Sequence, residues 1–523
     1  MTFQWMLEKF RAHMNPTFFF LRRALVLCGV WIASVSSVFA APTSLVIVHT
    51  NDIHDHLRAR EDGEGGLPYV ASFVSQLRRE VGDVLFLDGG DITEKGDLVS
   101  AKTHGLASFQ AMALMGYHAV AIGNHDLHRV PLERVRRYND ALGNKFLCAN
   151  FLDANGHPVF EPSRLVKVGE VQVGLVGLTT VARDDGRAPK GVLDLGKSGA
   201  ALGREARKLK KAGAEIVVAV CHEGTKVCAE LSQLAPEVAV FISAHSHEVV
   251  RKPIVAPGTG ALIVQAGSYA RWAGLLKVEI ERGRVVRYSG SLIEMSGKKF
   301  APDATLMDFV AAAEREHAPE ASVFVIENTA TVEAPGVGRL GAEALRVQTG
   351  ADIAFCLPSQ VVRDVLPAGR LDYNSFYRSV GLIGANIIEA RLTGAEIAAH
   401  FAALQREPKE RPTWSGFTVR YSGKNLKANV EPTRTYRVVM PRREWNILQR
   451  NAAAALGKRA TADLKERGQR AEIELAAAMR DYLISQREQG AKTLQDLLQA
   501  LEAAQTVALY VEAPADEMIA WSR

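Results

Sequence analysis

Five short apolar runs, each followed at once by side chains that can bind a metal ion, constrain this chain more than any other feature of its sequence. Each run has the length of a buried β-strand. The runs, each with the polar residues that follow it, are Leu45–Val48 with Asp52 and His54, Val84–Leu87 with Asp91, Ala119–Ile122 with Asn124 and His125, Ile216–Val220 with His222, and Val238–Ile242 with His245 and His247. Because ligands bind at the carboxyl ends of strands in open α/β sheets, we expect these side chains to lie close together.

The types of these side chains indicate the kind of metal site. Carboxylate oxygens, an amide oxygen and imidazole nitrogens suit divalent ions of intermediate softness, such as Mn²⁺, Zn²⁺, Co²⁺ or Fe²⁺. A carboxylate can bridge two such ions, and a metal pair can bind a phosphoryl group and lower the pKa of a bound water. The sequence therefore favours metal-dependent hydrolysis at the edge of a sheet.

Amphipathic stretches alternate with the apolar runs, which is typical of an α/β domain. Residues 198–212 predict an amphipathic helix, and Leu306–Ala318 predicts a connecting helix. A second α/β unit begins near Ser322. The parts that we expect are a signal peptide over residues 1–40, a catalytic domain over 41–300, a connecting helix over 301–321 and a C-terminal domain over 322–523.

The order of the polar motifs resembles that of the calcineurin-like metallophosphoesterases over about residues 44–295. The stretch Thr50-Asn51-Asp52-Ile53-His54 is similar to the opening motif of the 5'-nucleotidase branch. This resemblance implies a four-layer α-β-β-α sandwich of two mixed sheets, followed by a smaller α/β domain of the 5'-nucleotidase type. Substrate would bind between the two domains.

The same resemblance implies two divalent metal ions, and a water or hydroxide as the nucleophile. The implied ligands are Asp52, His54 and His247 for one metal, Asp91 as the bridge, and Asn124, His222 and His245 for the other. His125 matches the catalytic histidine of the family, which stabilises negative charge on the phosphate or on the leaving oxygen.

One position departs from the family pattern. His128 stands three residues after His125, where the branch commonly has an aspartate that orients the imidazole. A histidine cannot supply the same negative charge, so Asp126 or another carboxylate takes that role, or the rate and pH dependence differ from those of the family. We expect the catalytic residues to be His125, Asp126 and His128.

The region Gly338–Gly394 resembles the C-terminal domain of 5'-nucleotidases, in which arginines bind phosphate and two aromatic rings hold the base. Arg363 and Asn386 fall at substrate-binding positions of that pattern. One of the two stacking aromatics is missing, so a nucleotide is less strongly indicated than a phosphate ester in general. The candidates to stack on a base are Trp414, Phe417 and Trp445, although an aromatic residue in such a domain is more often part of the core.

One nucleotide-binding pattern is rejected. The stretch 191–198, from Gly191 to Ser198, matches the P-loop letter for letter, but a P-loop lies between a strand and a helix. Polar, turn-like residues precede this stretch, and bulky Val192, Leu193 and Leu195 make a poor phosphate cradle. We expect a turn and a helix cap here instead.

The first forty residues are typical of an export signal, with Arg22 and Arg23 before an apolar run and cleavage expected after Ala40. The formal charge of the chain is +5, of which the first forty residues contribute +3, from four basic residues against Glu8. We expect a periplasmic or secreted protein without stable membrane insertion after cleavage. The low remaining charge gives no indication of a nucleic acid partner.

Four cysteines remain after the expected cleavage, namely Cys148, Cys221, Cys228 and Cys356. This number is too low for a disulfide framework in a chain of this length. Pairing of Cys221 with Cys228 and buried free thiols both remain open at this stage.

The function that the sequence favours is hydrolysis of small phosphate esters, most plausibly nucleotides, by a dinuclear metal site. The alternative is that the same site hydrolyses a different bond, in a cyclic nucleotide, a sugar nucleotide or a thiosulfate ester. A further alternative is a periplasmic binding protein that keeps metals without turnover, suggested by His128 and the altered C-terminal pattern.

Overall fold

The computed structural model describes residues 42–94, 96–128, 130–182, 189–380, 386–406, 413–422, 425–459 and 461–506. The expected signal peptide at residues 1–40 lies outside the described residues. Within these ranges, no helix is both long enough and apolar enough to cross a membrane.

The first part of the chain contains twelve strands among its described residues. In chain order they are β1 (Thr43–Thr50), β2 (Leu85–Asp88), β3 (Ala119–Ala121), β4 (Phe146–Leu147), β5 (Ser163–Val168), β6 (Val171–Leu178), β7 (Ile216–Cys221), β8 (Val240–Ile242), β9 (Ile254–Val255), β10 (Leu262–Val264), β11 (Trp272–Glu281) and β12 (Arg284–Glu294). Its helices are α1 (Leu67–Val81), α2 (Leu98–Lys102), α3 (Leu106–Met115), α4 (Asn124–Leu127), α5 (Leu132–Ala141), α6 (Leu195–Lys211) and α7 (Thr225–Leu234). Then α8 (Ala304–His317) and a 3₁₀ turn at Pro319–Ser322 follow.

These strands form two six-stranded mixed sheets. One sheet has the order β12-β11-β1-β2-β3-β4, and the other has the order β5-β6-β7-β8-β10-β9. The strands β1, β2, β3 and β4 are parallel, as are β6, β7, β8 and β10. Antiparallel pairing adds β11 and then β12 beside β1 in the first sheet, and β5 and β9 at the two edges of the second. Parallel strands end at one edge of each sheet, so the loops that follow them lie together.

The two sheets pack face to face through an apolar core. Ile47 and Leu87 of one sheet belong to the same buried cluster as Val173 and Val218 of the other. On the outer face of the second sheet, α6 and α7 pack through Leu202 and Leu231 among other residues. Helices α1, α3 and α5 cover the outer face of the first sheet. The expected four-layer α-β-β-α sandwich is confirmed.

The second part of the chain is built around one five-stranded sheet with the order β17-β14-β20-β16-β21. Its strands are β13 (Phe324–Asn328), β14 (Ile353–Phe355), β15 (Gly369–Asp372), β16 (Ile387–Thr393), β17 (Trp414–Ser415), β18 (Val419–Ser422), β19 (Asn425–Ala428), β20 (Thr435–Pro441) and β21 (Gln469–Ala471). Its helices are α9 (Ala334–Thr349), α10 (Pro358–Val361), α11 (Tyr373–Ser379), α12 (Gly394–Leu404), α13 (Arg442–Leu456), α14 (Leu464–Arg467), α15 (Leu475–Glu488) and α16 (Leu494–Thr506). Helices α12 and α13 pack on one face of the sheet, and α9 and α15 pack on the other.

Local sequence signals explain several boundaries. The five apolar runs coincide with β1, β2, β3, β7 and β8, and the expected connecting helix coincides with α8. Helix α6 begins after Asp194, whose carboxylate accepts a hydrogen bond from the backbone N of Lys197 at 2.9 Å. The rejected P-loop stretch is therefore a helix cap, as the sequence analysis expected.

Ion pairs and hydrogen bonds join the two parts of the chain. Arg58 lies 2.5 Å from Asp372, Arg271 lies 2.6 Å from Asp364, and the side chain of Asn374 donates to Asp97 at 2.7 Å. Asp97 also faces the buried guanidinium of Arg378 at 3.4 Å. These contacts surround the loops that follow β1 and β2 and fix the second part of the chain against them.

Candidate metal centre and catalytic site

The loops that follow five parallel strands bring the expected metal ligands together, as the sequence predicted. Asp52 and His54 follow β1, Asp91 follows β2, and Asn124 begins α4 directly after β3. The others follow strands of the second sheet: His222 comes after β7, and His245 and His247 come after β8. Both sheets of the sandwich therefore contribute to one region.

Asp52, His54 and His247 form the first cluster, and their nearest ligand atoms all lie within 4.8 Å of one another. The Nε2 atoms of His54 and His247 are 3.0 Å apart. Oδ1 of Asp52 lies 3.4 Å from Nε2 of His247 and 3.8 Å from Nε2 of His54. Two ring nitrogens and a carboxylate oxygen this close together are three donors of the kinds that bind a divalent ion.

Asp91, His222 and His245 form the second cluster, again with ligand atoms within 4.8 Å of one another. Oδ2 of Asp91 lies 3.1 Å from Nε2 of His222, without the geometry of a hydrogen bond. The other ring nitrogen of His222, Nδ1, bonds to the carbonyl oxygen of Gly89 at 2.8 Å, which leaves Nε2 directed into the site. Asn124 is buried beside the cluster, and its Oδ1 accepts from Thr180 at 3.5 Å.

Asp91 lies between the two clusters. Its Oδ2 is 4.0 Å from Nε2 of His54 in the first cluster and 3.1 Å from Nε2 of His222 in the second. Burial opposes ionisation of this carboxyl, but the imidazoles of His222, His54 and His125 outweigh burial and hold the pKa of Asp91 below its usual range. Burial also disfavours a charged His222, yet Asp91 and Asp52 raise the pKa of His222 to about 10.

The backbone at the ligand positions is strained. Five candidate ligands have positive φ angles, namely Asp52 (51°), His54 (47°), Asp91 (57°), His245 (66°) and His247 (55°). A left-handed conformation costs a residue with a side chain about 1–2 kcal/mol. Concentration of this strain at the ligands is typical of a functional site.

A glycine allows the two catalytic loops to approach each other. A Cβ atom at Gly123 would lie 1.9 Å from Oδ1 of Asp91 and 2.3 Å from its backbone N. Any larger residue would therefore push Asp91 out of the position that it shares with both clusters.

The residues present fit a pair of divalent metal ions. All six side chains of the two clusters offer oxygen or nitrogen donors, and the described part of each cluster contains no thiolate. Nε2 of His222 is buried without a hydrogen-bond partner, although its ring is held firmly from the other side. A buried ring nitrogen that lacks a hydrogen bond is accounted for by a metal ion in front of it.

His125 lies on the open side of the two ligand clusters. Its backbone N donates to Oδ1 of Asp91 at 2.8 Å, and its side chain is 34% exposed. Nε2 of the ring lies 4.0 Å from Oδ2 of Asp91, while Nδ1 lies 3.3 Å from Oε2 of Glu94. The ring is therefore placed where it can contact a molecule bound in front of the clusters.

Asp126 does not contact the His125 ring, contrary to one of the expectations from the sequence. Its buried carboxylate turns away and accepts hydrogen bonds from four backbone N–H groups and one hydroxyl. The donors are the backbone N atoms of Asp91, Ile92, Thr93 and Gly123 and the Oγ1 atom of Thr93, at 2.9–3.1 Å. Asp126 therefore holds the loop that carries Asp91, and its effect on chemistry is indirect.

His128 is exposed at the rim of the site, and its backbone N donates to the carbonyl oxygen of Asn124 at 2.7 Å. The carboxylate that faces the ring of His125 is Glu94, which the sequence analysis did not single out. The only local signal was a carboxylate three residues after Asp91, and nothing in the spacing connects that position to His125.

A cavity of about 960 Å³ opens in front of His125, between the two parts of the chain. Its walls include Glu94 and His128 from the first part and Tyr377 and Asn386 from the second. Asn386, predicted to bind substrate, thus lines the cavity. Arg363 reaches the cavity indirectly, because both of its terminal nitrogens bind the carboxylate of Glu94, at 2.9 and 3.1 Å.

The three aromatic residues proposed for base stacking lie in the core of the second part instead. Trp414 stacks against Phe417, with ring centroids 5.6 Å apart, and both belong to the apolar cluster on that sheet. Trp445 is 5% exposed in the same cluster. That expectation is wrong, because the rings fill the space between α12, α13 and the sheet. The aromatic residues that line the cavity are Tyr138 and Tyr377.

Residues 45–249 match the calcineurin-like phosphoesterase family. The chain contains a calcineurin-like phosphoesterase domain. The match includes all seven predicted metal ligands and His125, and the expected kind of enzyme, a phosphoester hydrolase, is confirmed.

Longer matches extend over both parts of the chain. Protein UshA of Escherichia coli (strain K12) is 25% identical over 469 residues, which cover 75% of this chain and 84% of that protein. A 5'-nucleotidase of Vibrio cholerae is also 25% identical, over 477 residues, with 75% and 83% coverage. The crystal structure of a 5'-nucleotidase precursor from Thermus thermophilus has a TM-score of 0.61 at 23% identity and covers 85% of this chain and 97% of that one. The resemblance to the 5'-nucleotidase branch is confirmed, and the fold is shared across both parts.

Cys148, Cys221, Cys228 and Cys356 are buried free thiols in this phosphoesterase. Burial raises the pKa of Cys148 to about 11, so this thiol is unreactive. Of the two possibilities that the sequence left open, the structure has the free thiols.

Proposed function

We propose that this chain is an exported phosphoesterase that hydrolyses nucleotides or related small phosphate esters with two divalent metal ions. The observation that carries the proposal is the convergence of two ligand clusters on Asp91, with His125 beside them at the mouth of a cavity. Residues 41–300 would form the catalytic domain, 301–321 the connecting helix and 322–523 the substrate-binding domain.

Asp52, His54 and His247 would hold one ion, and Asn124, His222 and His245 would hold the other, with Asp91 between them. When bound, such a pair supplies an activated water and neutralises charge on the phosphoryl group. The ions would be Mn²⁺, Zn²⁺, Co²⁺ or Fe²⁺, in keeping with the nitrogen and oxygen donors.

His125 would contact the phosphate or the leaving oxygen, because its ring lines the cavity, is about one third exposed and lies 4.0 Å from Asp91. A donor held there stabilises charge that develops as the ester bond breaks. Asn386 would contact the rest of the substrate from the opposite wall of the cavity. Arg363, the other residue expected to bind substrate, pairs with Glu94 and would act through that carboxylate.

A second candidate is hydrolysis of the pyrophosphate bond of a sugar nucleotide. Arg134, Arg443 and Arg470 line the cavity, and guanidinium groups suit a second phosphate better than a bare nucleoside. Both candidates use the same metal centre and differ in what occupies the cavity.

The test is release of phosphate by the purified mature protein after loading with each metal in turn. The panel contains AMP, a 2',3'-cyclic nucleotide, bis-nitrophenyl phosphate, and UDP-glucose with a coupled phosphatase. We expect turnover of at least one substrate that a chelator abolishes. His125→Ala should lower kcat by about 10²–10⁴-fold and keep the metal content of the unchanged protein.

Three outcomes would count against the proposal. Turnover that survives the chelator would exclude the metal centre as its source. Full activity in His125→Ala would remove the assigned role of that ring. A metal-loaded protein without turnover on the whole panel would favour a binding protein. N-terminal sequencing of the exported protein checks the proposed cleavage after Ala40.

A further inference from the structure

Glu94 is held in one conformation from several directions. Its φ angle is 116°, a value that a residue with a side chain rarely adopts. Its backbone N donates to Oδ2 of Asp55 at 3.0 Å, and Oδ1 of Asp55 accepts from Ser108 at 2.6 Å. A strained backbone that is kept in place by buried hydrogen bonds is typical of a residue whose side chain must point in one direction.

The carboxylate of Glu94 lies between two groups that come from distant parts of the sequence. Oε2 is 3.3 Å from Nδ1 of His125 and 2.9 Å from a terminal nitrogen of Arg363, while Oε1 is 3.1 Å from the other terminal nitrogen of that arginine. The side chains of Glu94 and Arg363 are 18% and 16% exposed, so the pair is largely shielded from solvent. A two-point contact between arginine and carboxylate fixes the plane of the carboxylate as well as its position.

We propose that Glu94 is the positioning residue of His125 and that Arg363, from the second part of the chain, holds Glu94 in place for this task. The proposal rests on the proposed function, in which His125 acts on the substrate. Oε2 of Glu94 lies 3.3 Å from Nδ1 of the ring, and Nε2 lies on the side of Asp91 and the two ligand clusters. Glu94 supplies the negative partner that His128 cannot supply and that Asp126, turned towards the loop, does not supply.

One consequence is that both parts of the chain contribute to the orientation of the His125 ring. Arg363 reaches Glu94 from the loop between α10 and β15, 269 residues further along the chain. Docking of the second part therefore fixes the orientation of a ring that belongs to the first.

The first test compares two substrates that share the phosphate and differ in the leaving group. In Glu94→Gln the ring loses its charged partner. We expect kcat to fall about 10–100-fold for an alkyl ester such as glycerol phosphate. For p-nitrophenyl phosphate, whose leaving group departs readily without protonation, kcat should fall only about threefold. KM for both should change less than kcat. Equal losses for the two esters, or no loss, would overturn the proposal.

The second test asks whether Glu94 acts through His125. Glu94→Gln is combined with His125→Ala, and the double variant should be no slower than His125→Ala alone, because the ring that Glu94 orients is absent. Arg363→Gln alone should likewise lower kcat. Added to Glu94→Gln, it should lower kcat no further. Multiplicative losses in either combination would overturn the proposal.

A control variant separates positioning from general support of the interface. Arg271→Gln breaks another ion pair between the two parts, that of Arg271 with Asp364 at 2.6 Å, without touching His125. The ratio of kcat for the two esters should stay that of the unchanged protein. If this variant shifted the ratio as far as Glu94→Gln does, the effect would belong to the interface and the proposal would fail.

A crystal structure of metal-loaded Glu94→Leu supplies a readout that does not depend on turnover. The His125 ring should turn away or occupy two rotamers, while the metal ligands keep their positions. A ring in its original single rotamer would overturn the inference even if no substrate were found. Turnover that His125→Ala abolishes but Glu94→Gln leaves intact would sink the inference alone and leave the proposed function standing.

Discussion

Thr93 donates two hydrogen bonds to Asp126, one from its backbone N at 3.0 Å and one from Oγ1 at 2.9 Å. Together with the donors at Asp91, Ile92 and Gly123, these bonds make one buried carboxylate the anchor of the loop that carries the shared metal ligand. Asp126, the residue next to the predicted catalytic histidine, therefore supports the candidate metal centre through the loop that carries Asp91.

Asp126→Asn should destabilise the protein by about 2–4 kcal/mol, because the amide nitrogen would place N–H groups against backbone N–H donors that bond to a carboxylate oxygen in the unchanged protein. Thermal denaturation with chelator present measures the loss. Asp153→Asn is the matched control: its carboxylate also accepts from backbone N atoms, of Asn155 and His157 at 2.9 Å, but it is exposed. A similar fall in Tm for both variants would contradict the anchoring role.

Gly123→Ala should empty the metal site while leaving the rest of the fold intact. The added Cβ would lie 1.9 Å from Oδ1 of Asp91, so the ligand must move. Metal content measured by mass spectrometry should fall well below that of the unchanged protein. The control is Gly196→Ala in the first turn of α6, where the new Cβ would be 3.7 Å from the nearest atom. Normal metal content in Gly123→Ala would show that the loop can move to accommodate the methyl group, which would contradict the prediction.

The two clusters predict which variants lose which ion. His247→Ala should lower the affinity of the first cluster, and His222→Ala that of the second, each retaining about one ion per chain after dialysis. His157→Ala, an exposed histidine far from the clusters, should retain two. Loss of both ions in every ligand variant would mean that the two clusters bind metal only together.

Glu314 should make stability depend on pH near neutrality. Burial, with Asp97 and Asp372 nearby, raises the pKa of Glu314 to about 7 although Arg58 opposes the shift. The folded chain therefore binds this proton more tightly than the unfolded chain. Its contribution to stability is fully present below the unfolded pKa and is lost as the pH rises through 7.

Glu314→Gln, which cannot ionise, should raise Tm more at pH 8 than at pH 5. Glu316→Gln, on the exposed side of the same helix, is the control. An equal change in Tm at both pH values for Glu314→Gln would contradict the shifted pKa.

Local sequence patterns predicted the parts of the site that local structure controls. A buried parallel strand is a short apolar run, and the residue after it is at the sheet edge by necessity, so Asp52, Asp91 and His222 could be placed without a structure. The antiparallel strands β11 and β12 were not predicted, although β11 pairs with β1 from Thr43 to His49. Their position depends on pairing between residues more than 200 positions apart in the sequence, and the hydrophobic periodicity of each strand contains no information about its partner.

The partners of His125 and the role of the aromatic residues were missed for a related reason. Glu94 and Arg363 meet through the docking of the two parts of the chain, and neither residue belongs to a motif that links it to the other. Trp414 and Trp445 were candidates for stacking because aromatic rings serve both cores and binding sites. Only the packing of α12 and α13 decides between the two.

The left-handed backbone of five candidate metal ligands bears on how such a site can decay during evolution. Once selection for metal is relaxed, the commonest single replacements at Asp52, Asp91 or His245 would leave a bulky side chain on a backbone that no longer has an ion to hold it. Glycine and asparagine tolerate that backbone best, so inactive descendants should carry these two residues at the former ligand positions more often than alanine. A gene that has lost the chemistry would thus keep a record of it in the replacements that it tolerates.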